Sequence, residues 1–143
     1  MRKRYDGDAR VGTLGPRVVL FSCAVSAGAH AGLVPAHLQS EPLLGWAFVT
    51  EVALLLSAAA GITTRSEDRR VASGVALLLA GLMLAYLATR TTGIPVLDPE
   101  RETVDVVGVA TTTVEAIGLA VALWLIQPLG RHRRSTYVQE VSR

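Results

Sequence analysis

Residues 43–63 read LLGWAFVTEVALLLSAAAGIT. Twenty-one residues carry a single charge, Glu51. At about 1.5 Å per residue, a helix of this length matches a hydrocarbon core of about 30 Å. Only helices or closed barrels satisfy their backbone groups in lipid, and this continuous run lacks the alternation of a barrel strand. Three further runs of similar length lie at 18–36, 71–88 and 106–126. The sequence therefore predicts an all-α protein, a bundle of four transmembrane helices over residues 18–126. A basic tail, 1–17, precedes it and a second basic tail, 127–143, follows. An outer loop, 89–105, holds the breakers Gly93, Pro95 and Pro99. Its Ile94-Pro95-Val96-Leu97 segment is apolar within polar surroundings, so the loop is expected to fold back over the bundle.

Composition agrees. Half of the 143 residues are hydrophobic and 18% are charged. Mean hydropathy is +0.40, which belongs to a membrane class rather than a soluble one. The lone cysteine, Cys23, excludes an internal disulfide or a cysteine-based zinc cluster, and reads as a small packing residue. A basic start followed by Val18–Ala27 and Ala-Gly-Ala also has the outline of a cleavable signal, but the apolar run continues past it.

The distribution of basic residues sets the orientation. Five lie before the first run, three in the 64–70 loop and four in the C-terminal tail. The other two loops hold only Arg90 and Arg101. This asymmetry predicts both termini on the cytoplasmic side of a bacterial inner membrane. The opposite face is acidic, with Glu41, Asp98, Glu100, Glu102 and Asp105.

Three ionisable residues interrupt the apolar runs: His30, Glu51 and Glu115. A charge at this depth is unfavourable by about 2.5–3.5 kcal/mol on insertion scales, which makes each a functional candidate. Counted from the outer ends of their helices, they lie about 9, 12 and 13 Å deep. One shared level suggests one shared site. Ser22, Ser26, His30, Leu33 and His37 follow helical spacing, as do Gly108, Thr111, Glu115, Gly118 and Ala122. On the second helix, Ala47, Glu51, Leu54 and Ala58 share a side. Helices 1, 2 and 4 are thus expected to converge. Helix 3 supports them, its Gly74 and Gly81 allowing close contact and its Tyr86 near the outer interface.

A carboxylate in hydrocarbon must be neutralised, paired or bound to a cation. One imidazole and two carboxylates suit a proton or a divalent metal such as zinc, manganese or iron. His37, Glu41 and Asp105 lie just above, as further ligands or an entry funnel. The alternative assigns the same residues to packing, in a non-catalytic membrane subunit whose polar cluster fixes helix register and partner choice. Metal-assisted hydrolysis finds no nucleophile here. Phosphate loops, Gly-x-Ser-x-Gly, CxxC and HExxH are all missing. The expected partners are lipid, further copies of the chain or a larger membrane complex, and not nucleic acid.

The segment His30-Ala31-Gly32-Leu33-Val34-Pro35-Ala36-His37-Leu38 with Glu41 and Gly45, together with Thr91-Thr92-Gly93-Ile94-Pro95 and then Glu102, Asp105 and Glu115, resembles a group of small bacterial four-span membrane proteins. The resemblance covers about residues 17–127. It implies the four-span fold and a pairing of the histidine segment with the loop before helix 4. It implies no activity, cofactor or partner.

The charge asymmetry has a direct test. A reporter active only in the cytoplasm should be active when fused after Arg143 and silent when inserted after Asp98. The reverse pattern would invert the topology.

Overall fold

The computed structural model describes residues 6–94 and 103–127, with side chains of the first helix described from Leu14. Four helices run α1 (Asp6–Ser40), α2 (Pro42–Thr64), α3 (Arg69–Thr91) and α4 (Val106–Ile126). Each has a stretch long and apolar enough to cross a membrane, from 21 to 27 residues. At about 1.5 Å per residue these stretches measure about 30–40 Å. The chain is a four-helix bundle with the character of a multi-pass membrane protein.

Local sequence explains the ends. Pro42 occupies the first turn of α2, where its missing N–H leaves no bond unmade. Asp68 caps α3 by accepting from the Arg70 N–H at 2.9 Å, and Asp105 caps α4 by accepting from the Gly108 N–H at 2.7 Å. Helix α1 extends well beyond the apolar run 18–36 at both ends and passes through Pro16 and Pro35. Its last turns keep their bonding through side chains. His37 Nδ1 lies 2.9 Å from the Leu33 carbonyl and Ser40 Oγ donates to the Ala36 carbonyl at 3.1 Å. Hydroxyls on the outer faces of the spans are satisfied in the same way. Thr50, Ser57, Thr63 and Thr113 each donate to the carbonyl four residues back. In lipid no water replaces that acceptor.

Helix α1 packs along α2 and α4, α4 also packs along α3, and α2 touches α3 more lightly. Gly15 near the start of α1 lies against Trp124 and Leu125 at the end of α4. The helices therefore alternate in direction, and residues 6 and 126 are at one end of the bundle. The core is built from small and branched side chains: Val19 and Cys23 of α1, Leu55 and Ile62 of α2, Val75 and Leu79 of α3, Ala122 of α4. Outside it, Phe21, Leu56, Leu77, Leu84 and Trp124 are exposed, as residues facing acyl chains are.

Two face assignments need correction. On α2 the inward residue is Leu55, fully buried, while Leu54 is 49% exposed. This helix is apolar all round, so its composition contains no contrast that fixes a face. Gly74 and Gly81 of α3 are open, with nothing within 4 Å of an added Cβ. The tight approach is at Gly118 instead. A Cβ there would sit 2.6 Å from Ser22 Cβ and 3.1 Å from Leu79 Cδ1. The inner part of the expected outer loop, 95–102, and the C-terminal tail from residue 128 lie outside the described residues.

Gly118→Val should force α1 and α4 apart, a cost of about 1–3 kcal/mol for overpacking. Gly81→Ala should leave stability unchanged or slightly raised. Thermal unfolding in detergent distinguishes them, and equal midpoints for the two variants would refute this packing.

Candidate functional site

Glu115 is the most deeply buried carboxyl among the described residues, 2% exposed on α4 among the core residues. Its Oε1 accepts a hydrogen bond of 2.5 Å from Ser26 Oγ on α1. The bond forms because Ser22 and Ser26 lie one turn apart on the same face, and Gly118 admits Ser22 against α4. Ser22 and Ser26 are themselves buried.

His30 follows one turn further along α1. Its Nδ1 lies 2.8 Å from the Ser26 carbonyl oxygen and 3.3 Å from Ser26 Oγ. A carbonyl oxygen only accepts, so the hydrogen is assigned to Nδ1. The Nε2 edge then points at α2, where Glu51 Oε2 lies 3.4 Å away. These side chains are 15% and 25% exposed. Glu51 Oε2 is buried and has no conventional hydrogen-bond donor. An imidazole whose Nδ1 already carries hydrogen presents a lone pair at Nε2. Lone pair against carboxylate is repulsive. The contact becomes attractive when one proton lies on either partner. The described geometry is thus a chain across three helices, Glu115 to Ser26 to His30 to Glu51. Helix α1 thus meets Glu115 of α4 through Ser26 and Glu51 of α2 through His30, and Ser26 is a link that depth arguments alone did not supply.

His30, Glu51 and Glu115 line a cavity of about 450 Å³. Its walls include Ala29, Leu33, Ala47, Phe48, Leu82 and Ala85. The size falls in the range of small-molecule sites, about 300–1,000 Å³. Phe48 stands beside both histidines, with ring centroids 5.8 Å from His30 and 4.9 Å from His37. The upper part of the cavity is polar. Arg90 Nη2 donates to Asp105 Oδ2 at 2.8 Å, and the Arg90 guanidinium lies 4.7 Å from the Tyr86 ring centre. Gly108 is required under that ring, because a Cβ there would meet Tyr86 at 2.6 Å.

The other sequence candidates separate. His37 and Asp105 line the upper cavity, and Asp105 also caps α4. Glu41 is exposed at the corner between α1 and α2 and does not line the cavity. Among the described residues, no group of three or more His, Cys, Asp and Glu is arranged to hold a metal ion. His30 reaches Glu51 through Nε2, while Glu115 is held by Ser26, so the two carboxyls are engaged by different residues of α1. The contribution of α3 was missed. Tyr86 and Arg90 sit four residues apart on one face, a spacing that marks them as one unit.

No family model, curated protein or solved structure matches this chain.

Ser26→Ala should leave Glu115 buried without its donor, a loss of about 1–3 kcal/mol. Adding Glu115→Met should restore most of that loss, since both polar partners are then gone. Equilibrium unfolding in micelles measures the cycle. Additive effects would show that the two side chains are not coupled.

Proposed function

We propose that this is a multi-pass protein of the bacterial cytoplasmic membrane whose Glu51–His30–Ser26–Glu115 chain binds and exchanges protons at the floor of an outward-facing cavity. The observation that carries the reading is the commitment of His30: Nδ1 on the Ser26 carbonyl, Nε2 on the Glu51 carboxyl. That arrangement calls for one shared proton. It also connects to a second carboxyl through a hydroxyl that can both donate and accept. Intramembrane relays of Asp, Glu and His are built from such links. The basic-residue asymmetry supports cytoplasmic termini, which turns the cavity outward.

A proton suits the site better than a divalent metal. Zinc, manganese and iron take several ligands converging on one point, and the described residues offer no such group. A shared proton needs only the pair. Membership of the small four-span group proposed from the two motifs is compatible with this reading and adds no chemistry to it.

A second reading has one observation in its favour. The buried Ser26–Glu115 bond joins α1 to α4 and so fixes their register. In that case the cluster belongs to a structural subunit of a larger membrane complex or homo-oligomer.

Infrared difference spectroscopy separates the two. Purified protein titrated with acid and base should show a carboxyl C=O band that changes with pH. The band should be altered in Glu51→Gln and in His30→Gln. A spectrum with no titrating carboxyl, together with a changed oligomeric state in the same variants, would replace the proton site with the structural role.

A further inference from the structure

The cavity above the proton site combines apolar wall residues such as Leu33, Phe48, Leu82 and Ala85 with carboxyls and an imidazole at its floor and a polar upper end. We infer that it takes an amphipathic, monovalent organic cation, which enters in exchange for the proton shared by His30 and Glu51. This inference rests on the proton site proposed above.

Sign comes first. The groups that face the cavity are Glu51 from α2, Glu115 from α4, His30 and His37 from α1, Tyr86 and Arg90 from α3, and Asp105 at the start of α4. Three carboxyls stand against one guanidinium. Arg90 is held by Asp105 at 2.8 Å and by the face of Tyr86 at 4.7 Å, so its charge is answered at the upper end. The floor is left with two carboxyls and an imidazole. A positive guest offsets them and a negative guest does not.

Character comes next. Leu33, Phe48, Leu82 and Ala85 offer no oxygen ligands to a small dehydrated ion. A hard cation would surrender water and gain nothing from them. A cation with its charge spread over an apolar body loses little hydration and gains contact with these walls. The ring of Phe48 adds an aromatic surface that attracts positive charge. The cavity of about 450 Å³ is large enough for a small organic molecule and far larger than a bare ion requires.

Exchange follows from the single proton. With Nδ1 occupied by the Ser26 carbonyl, the His30–Glu51 contact is attractive only when a proton lies between them. A cation placed against Glu51 takes over that role. The proton then leaves to bulk water, and His30 remains neutral.

Tetraphenylphosphonium is a suitable probe, with tetraphenylborate as a body of the same shape and opposite charge. Full-length protein in micelles is titrated in weak buffer by calorimetry and pH electrode. Phosphonium should bind saturably and release about one proton per cation, whereas borate should not bind. Binding should weaken by about tenfold or more in Glu51→Gln. Ala85→Phe narrows the cavity from its α3 wall and keeps every carboxyl in the sequence; it should block phosphonium while the titrating infrared band persists. Equal binding of borate, or no saturable phosphonium binding by protein that retains that band, would overturn this inference and leave the proton site standing. Loss of both band and binding in the unmodified protein would remove both proposals.

Discussion

One hydrogen bond sets the geometry on which the rest depends. Ser26 Oγ donates to Glu115 in the driest part of the bundle. A buried carboxyl without a partner is strongly unfavourable, so α1 must present a donor at that height. The backbone can do so only because Gly118 lets Ser22 approach α4 without a clash. Once Ser26 is placed, the rotation of α1 is fixed. His30 follows four residues later on the same face and must then look toward α2. The approach of imidazole to Glu51 is a consequence of helix packing at a different pair of residues.

The polar groups fall into two layers at different depths along the helices. The lower layer is the Glu115–Ser26–His30–Glu51 chain, two carboxyls joined through a hydroxyl and an imidazole. The upper layer is the Arg90–Asp105 pair, with the guanidinium over the Tyr86 ring. Asp105 is doubly constrained, since one carboxylate oxygen caps α4 and the other meets Arg90. The upper layer thus ties the end of α3 to the start of α4 and defines the width of the cavity there. Polar residues at the same end of the bundle therefore have unlike duties, and depth along the helices tells them apart.

The sequence disclosed the spans because apolar length is a property of composition alone. It disclosed His30, Glu51 and Glu115 because an ionisable residue stands out in such a run. It did not disclose the face of α2, where every side is apolar and Leu54 and Leu55 look alike. It pointed to Gly74 and Gly81, yet small residues permit close packing without requiring it, and both face outward. The role of α3 was hidden for another reason. Tyr86 and Arg90 lie at and beyond the end of its apolar run, where polar side chains are ordinary. Their spacing of four residues was readable, but only their meeting with Asp105 gives it meaning. Ser26 was noted as part of a polar stripe; its bond to Glu115 depends on the crossing of two helices far apart in sequence.

The architecture also bears on why two carboxyls are present. Fixing the register of α1 against α4 needs one polar contact, and Ser26–Glu115 supplies it. A second acid on α2 adds nothing to that contact. Replacing Glu51 by a hydrophobic residue of similar size would remove a group that is unfavourable in hydrocarbon by about 2.5–3.5 kcal/mol when charged. Apolar substitutes for buried ion pairs are often neutral or stabilising. Glu51 is, moreover, the more exposed of the two acids and the one beside the imidazole. Packing accounts for Glu115 through Ser26, and the proposed site is what would account for Glu51.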